Sequence, residues 1–176
     1  YPAALLGRKY SRQCRYAEAE NLLTKALTTS RTAWGERNAA TFHNVAALAE
    51  NYACQGRITD AEALLLSAVE ADRQTDGLES PIAIQASYYL GLFHAWRRQF
   101  DRAEHCVRPA LQASIDSNGK QHPISFLGAM VLAIVYREQG RYDEADQQLE
   151  GPVSFVDLSE ESTHLANVVE QLATVR

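Results

Sequence analysis

Four stretches of this 176-residue chain align residue for residue: RYAEAENLL (Arg15–Leu23), RITDAEALL (Arg57–Leu65), QFDRAEHCV (Gln99–Val107) and RYDEADQQL (Arg141–Leu149), each 42 positions after the last. Ala19, Ala61, Ala103 and Ala145 hold the centre of the pattern. A second register runs upstream through Leu6, Leu48, Leu90 and Leu132, each followed by a small residue. Repetition at this period marks a stacked array in which every unit leans on its neighbours, because one short unit cannot bury its apolar stripe alone. Such an array offers a surface rather than a catalytic cleft.

Composition excludes several other classes. Hydrophobic residues make up 46% of the chain, with no apolar run approaching the ~18 residues of a membrane helix. A net charge of −5 provides no basic face for phosphate, which argues against nucleic acid as a partner. Cys14, Cys54 and Cys106 are an odd number, well separated and without a C-x-x-C pair, and read as reduced thiols of a cytoplasmic protein. The chain opens on Tyr1 without a signal-like stretch and stops at Arg176 inside a helical pattern, which reads as a segment of a longer protein.

Within each unit two helical patterns flank a short break. Val45, Leu48, Ala49 and Tyr52 keep helical spacing, Gly56 and Arg57 interrupt it, and Ile58, Ala61, Leu65, Ala68 and Val69 resume it. Gly56 and Gly140 can take the left-handed conformation that ends a helix, whereas Cys14 and Arg98 fill the same slot without that freedom, so those two turns should be strained or differently shaped. First helices should start at Asn38, Ser80 and His122, the last two followed by Pro81 and Pro123, and Gly35, Gly77 and Gly119 should close the helices before them. Small residues at Ala49, Gly91 and Ala133 let the partner helix approach, with Tyr52 and Tyr136 filling the space beside it. The units fall at residues 1–36 (a truncated first), 37–78, 79–120 and 121–160, followed by a terminal helix over 161–176 in which Leu172 and Ala173 take the leucine and small-residue slots.

The carriers Leu48, Ala49, Tyr52, Gly56, Arg57, Asp60, Ala61, Glu62 and Ala68 resemble the tetratricopeptide repeat, in the 42-residue form of kinesin light chains and of the repeat arms of many signalling NTPases. The resemblance implies an all-α, right-handed superhelical solenoid of antiparallel helix pairs, about four repeats plus a terminal helix, with longer helices than the commoner 34-residue repeat. His94 departs from the pattern by replacing a tyrosine, and should be a hydrogen-bonded core histidine. Pro109 and Pro152 lie inside second-helix patterns and should bend them.

The resemblance further implies a concave groove lined by first helices. By register its lining includes Arg8 and Arg12; His43, Ala46 and Glu50; Gln85, Tyr88, Tyr89, Leu92 and Trp96; and Leu127, Met130, Ile134 and Arg137. An aromatic and aliphatic middle beside basic Arg8 and Arg12 would suit a peptide with an apolar anchor and an acidic flank. The competing reading has Tyr88, Tyr89, Leu92, Met130 and Ile134 packing one repeat on the next. The slot before the repeat leucine holds Leu5, Ala47, Tyr89 and Val131, so the asparagines that hold cargo peptides in kinesin light chains are absent. His43 and Glu50 lack a nucleophile or an orienting third group, and His105 and Cys106 are adjacent in sequence and point to different helix faces, so neither catalysis, a metal nor a cofactor is expected. The expected partner is a protein or peptide, with self-association through end helices as a further expectation. A second reading makes the chain the ligand-sensing or autoinhibitory arm of a larger signalling NTPase.

Overall fold

The computed structural model describes residues 2–76 and 80–149, and among these every regular element is an α-helix. In order they are α1 (Pro2–Arg12), α2 (Tyr16–Trp34), α3 (Ala39–Cys54), α4 (Ile58–Asp76), α5 (Pro81–Trp96), α6 (Phe100–Asn118), α7 (Pro123–Glu138) and α8 (Tyr142–Leu149). Helices α3, α5 and α7 each have 16 residues, and α2, α4 and α6 each have 19. The chain divides into two compact units, Tyr1–Ala86 and Ser87–Arg176, with the division falling inside α5. Gly77, Pro152, Leu172, Ala173 and the terminal helix expected over 161–176 lie outside the described residues.

Helix starts follow local chemistry. The Asn38 side chain accepts from the Ala40 amide at 2.9 Å, Ser80 Oγ accepts from the Ile82 amide at 3.2 Å, and His122 Nδ1 accepts from the Ile124 amide at 3.3 Å. Each satisfies an amide that the first helical turn leaves without a carbonyl.

The four hairpin turns share one geometry. Gly56 and Gly140 have φ of 76° and 77°, and Cys14 and Arg98 have φ of 59° and 58°. In every turn the next amide reaches back five residues: Arg15 to Tyr10, Arg57 to Tyr52, Gln99 to His94 and Arg141 to Tyr136, at 2.8–3.0 Å. Of the two expectations for Cys14 and Arg98, the strained turn is what the structure shows and the differently shaped turn is not. These two residues keep the left-handed conformation despite their Cβ atoms, at a cost of roughly 1–2 kcal/mol each.

Close helix approach uses the small-residue slot as expected. A Cβ at Gly7 would meet Leu23 at 2.5 Å, and one at Gly91 would collide with Val107 Cγ2. In the first unit α1 packs on α2, and α3 packs on α1, α2 and α4. Its core is built from Leu23, Phe42, Val45 and Leu65, while that of the second unit holds Tyr88, Phe93, Val107, Val131, Val135 and Tyr136. Helix α6 runs through Pro109 without interruption.

A polar clamp recurs at the second and fourth hairpins. Arg57 lies over the Tyr52 ring at 4.1 Å, donates to Asp60 of its own helix at 2.8 Å and reaches Glu20 of the preceding α2 at 3.1 Å. Two repeats later Arg141 lies over Tyr136 at 4.2 Å, donates to Glu144 at 2.6 Å and reaches Glu104 of α6 at 3.0 Å. The third hairpin places His94 and Gln99 in the slots of the tyrosine and arginine, with His94 Nδ1 hydrogen-bonded to Gln99 Oε1 at 3.2 Å. His94 is half-buried and hydrogen-bonded, as its position in the tyrosine slot suggests.

Candidate functional site

The groove-register residues divide by burial. In the first unit His43, Ala46 and Glu50 on α3 and Arg8 on α1 are buried, Arg12 is exposed and Gln85 is half-buried. In the second unit Tyr88, Tyr89, Leu92 and Leu127 are buried, Trp96, Met130 and Ile134 are half-buried, and Arg137 is exposed.

Arg8 takes a different role from the one its position suggests. Its Nε donates to Glu50 Oε2 at 3.1 Å and its NH2 to Oε1 at 3.0 Å, a bidentate pair between successive first helices. The carboxylate neutralises the guanidinium, so the reading of Arg8 as a basic anchor for an acidic ligand flank is corrected. Beside this pair, Ser11 donates to Asn51 Oδ1 at 2.8 Å and Asn51 donates to the Tyr16 carbonyl at 3.2 Å. The first unit thus fills this face with its own hydrogen bonds.

Tyr88 is likewise a packing residue rather than a ligand contact. Its ring is fully buried, its hydroxyl donates to the Ala110 carbonyl at 3.5 Å, and it lies so close to α7 that a Cβ on Gly128 would come within 2.5 Å of it. Burial pushes its phenol up to about 12, which keeps it a neutral donor. Here the competing interpretation, repeat-on-repeat packing, describes the residue. Ser114 of α6 and Ser125 of α7 share a buried hydrogen bond of 2.8 Å nearby.

Trp96 differs from these. It ends α5 in a slot that elsewhere holds Arg12, Cys54 and Glu138, residues that no apolar core would require. Its indole is only half-buried, as are Met130 and Ile134 on α7, while Leu90, Phe93, Val131 and Val135 supply the buried contacts of the same two helices. Arg137 follows one turn after Ile134 and is open to solvent, with the Glu138 carboxylate 3.9 Å away. These four side chains combine an aromatic, two flexible or branched aliphatics and a cation, the mixture that interfaces enrich.

The sequence reasoning missed the Arg8–Glu50 pair, although the signal was present: opposite charges 42 residues apart occupy one slot in successive repeats. The Tyr, Arg and Glu clamp left a similar trace in Arg57 with Glu20 and Arg141 with Glu104, each pair 37 apart. None of the three cysteines forms a disulfide. Among the described residues no three His, Cys, Asp or Glu side chains cluster, and no helix is long and apolar enough to cross a membrane.

Residues 82–150 match the family model of the tetratricopeptide repeat. A search of curated proteins returns no match. Among solved structures, BtubC (BKLC) from P. vanneervenii superposes with a TM-score of 0.66 at 19% identity over 96% of this chain, which spans 63% of that chain's length. A Podosopora anserina protein assigned as a kinesin light chain with nearly identical TPR-like repeats gives 0.68 at 17% identity, covering 98% of this chain and 93% of that one. A single-substitution variant of that protein gives 0.69 at 18% identity, covering 97% and 83%. At these identities the likeness concerns the fold, and it agrees with the 42-residue period, the hairpin turns and the small-residue slots: the chain is an all-α array of helical hairpins with the fold of TPR-like repeats, and its residues 82–150 are similar to the tetratricopeptide repeat family.

Proposed function

We propose that the chain is a non-catalytic protein-interaction module that holds a peptide segment of a partner along the first-helix face of its second unit. The observation that carries this reading is Trp96, a half-buried indole in a slot where the other repeats place Arg12, Cys54 and Glu138. Met130 and Ile134 extend the apolar surface along the register, and Arg137 offers a charge to an acidic neighbour. The ligand that fits is a short segment with one large apolar anchor followed by an acidic residue. Internal pairing of Arg8 with Glu50 removes the first unit's main cation from ligand recognition, which shifts the acidic flank toward Arg137.

A peptide-array screen of the purified chain against its Trp96→Ala variant tests the reading. Peptides captured by the parent and lost by a folded variant support it. Equal capture by both proteins contradicts it. Arg8→Glu is unsuitable as a second variant because it sets two carboxylates together in a buried place; Arg137→Glu changes an exposed charge instead.

A further inference from the structure

Cys14 and Cys54 lie 40 residues apart, and that offset recurs as a contact between successive repeats. Three residues earlier at both positions, Ser11 donates to Asn51 Oδ1 at 2.8 Å, again across 40 residues. In the second unit the residues of the same two slots, Arg98 and Glu138, form an ion pair at 3.9 Å. The repeat thus brings the left-handed residue of one hairpin turn beside the last residue of the next first helix, and in the first unit both are cysteines.

Tyr16 ties the two positions together. Its hydroxyl donates to Cys14 Sγ at 3.6 Å, and its carbonyl accepts from Asn51 of α3 at 3.2 Å. The bond to Cys14 raises its phenol, followed by burial and by the charges of Cys14 and Cys54, so both sulfurs act on one ring. Both cysteines are exposed. For Cys14 this openness belongs to the slot, since Gly56, Arg98 and Gly140 are exposed in the same place.

The two thiols differ in readiness to react. Desolvation of its sulfur, then the charges of Glu50 and Cys14, push the Cys54 thiol up to about 11, so little of it is ionised at neutral pH. The thiolate is the nucleophile toward a peroxide, which gives first attack to Cys14.

We propose that Cys14 and Cys54 are a peroxide-sensitive pair whose disulfide latches the α1–α2 turn to the end of α3. The Cys14 thiolate attacks one peroxide oxygen: an S–O bond forms, the O–O bond breaks, and the leaving hydroxide takes up the proton that the thiol released. The Cys54 thiol then attacks the Cys14 sulfenic sulfur. An S–S bond forms as the S–O bond breaks, and the departing hydroxide leaves as water with the Cys54 proton. Two thiols are oxidised, one peroxide is reduced to two waters, and a dithiol reductant reverses the bridge. The bridge closes a 40-residue loop across the seam that Arg8 and Glu50 already span, which restricts the unfolded chain and raises stability.

The test treats the full chain with a small excess of hydrogen peroxide, alkylates it, and reads it by intact and peptide mass spectrometry beside thermal unfolding. The oxidised parent should lose the mass of two hydrogens, yield a Cys14–Cys54 linked peptide with Cys106 alkylated, and melt several degrees above the reduced chain. Dithiothreitol should reverse all three changes. Cys54→Ser, shown to be folded by circular dichroism, should halt at a Cys14 sulfenic acid that dimedone traps. Cys14→Ser should leave Cys54 reduced at the same dose, and neither variant should gain stability from peroxide. A parent that accumulates oxidised Cys14 without the linkage, or that pairs either cysteine with Cys106, overturns the proposal. A linkage that leaves the melting midpoint unmoved overturns the latch.

Discussion

Arg8 on α1 and Glu50 on α3 hold each other through two parallel hydrogen bonds across the seam between successive repeats, with side-chain exposures of only 10% and 7%. The geometry is the fork-to-fork match that makes arginine the preferred cation for a carboxylate. Removing one partner strands the other charge where water reaches it poorly, so Glu50→Ala is expected to cost about 3–5 kcal/mol. The second unit fills the same slot with Leu92 and Ile134, so the double change Arg8→Met, Glu50→Leu should fall near the parent. Chemical denaturation of the three proteins measures this. A Glu50→Ala cost under ~1 kcal/mol would mean the pair behaves as a surface salt bridge.

Gly128 and Tyr88 form a second seam, this time through shape. An alanine in mid-helix ordinarily gains up to about 1 kcal/mol over glycine, which on its own favours Gly128→Ala. Here the new methyl would stand 2.5 Å from the ring of a fully buried tyrosine, and the ring has no free space to retreat into. Overpacking of this kind costs roughly 1–3 kcal/mol, so steric cost outweighs propensity and the variant should melt below the parent. Thermal unfolding followed at 222 nm would show it.

Two turns are held in a conformation that their residues disfavour. Arg98→Gly relieves the left-handed strain at φ 58° and sacrifices only an exposed 3.9 Å ion pair with Glu138 and the packing over Phe100. The net effect should be a gain on the order of 1 kcal/mol. The converse change at the equivalent glycine, Gly140→Ala at φ 77°, should destabilise by a comparable amount. A loss of stability in both variants would contradict the account of the turn.

The α6 clamp should make stability depend on acid pH. Partial burial raises the Glu104 carboxyl, but hydrogen bonds from Arg108, Arg141 and Tyr136 outweigh it and hold the group below the ordinary glutamate value. Glu144 is also lowered, chiefly by its hydrogen bond from Arg141. With folded pKa values depressed, the unfolded chain takes up protons first. The contribution is complete above the ordinary glutamate range and is lost as pH falls through the folded values. Glu104→Gln should therefore be less stable than the parent at neutral pH, with the gap narrowing as the solution is acidified. Urea midpoints measured at several pH values would reveal a constant gap if the clamp contributes nothing.

The hairpins were legible because period, glycine and cap residues all act locally: Asn38, Ser80, His122, Gly56 and Gly140 do what their chemistry dictates within a few residues. At Cys14 and Arg98 the sequence showed that strain was to be expected but not that the turn would keep the glycine geometry, because the preference at stake is worth only about a kilocalorie or two. For Tyr88 the sequence left groove and repeat packing both open, and the structure decides for packing. Its register points to the groove, but Gly128, one repeat on, vacates the space that its ring fills, and such a complement between successive repeats is invisible in any one unit's pattern. Arg8 was read with Arg12 as a basic end of the groove because charge was judged along one helix rather than down a slot. The candidate surface was legible by register at Trp96, Met130, Ile134 and Arg137, and most sharply at Trp96, where a large aromatic stands in a slot that elsewhere holds Arg12, Cys54 and Glu138.

The most direct test of the interaction account is Trp96 fluorescence in a Trp34→Phe background, titrated with a peptide selected by the array, since Trp34 is the other tryptophan and is 61% exposed. If the indole contacts the ligand, its emission should shift to the blue and saturate with the same Kd found by calorimetry, and Trp96→Ala should weaken binding at least about tenfold. Saturable binding that leaves Trp96 emission unmoved, with full affinity retained by Trp96→Ala, would contradict the account and place recognition on another face.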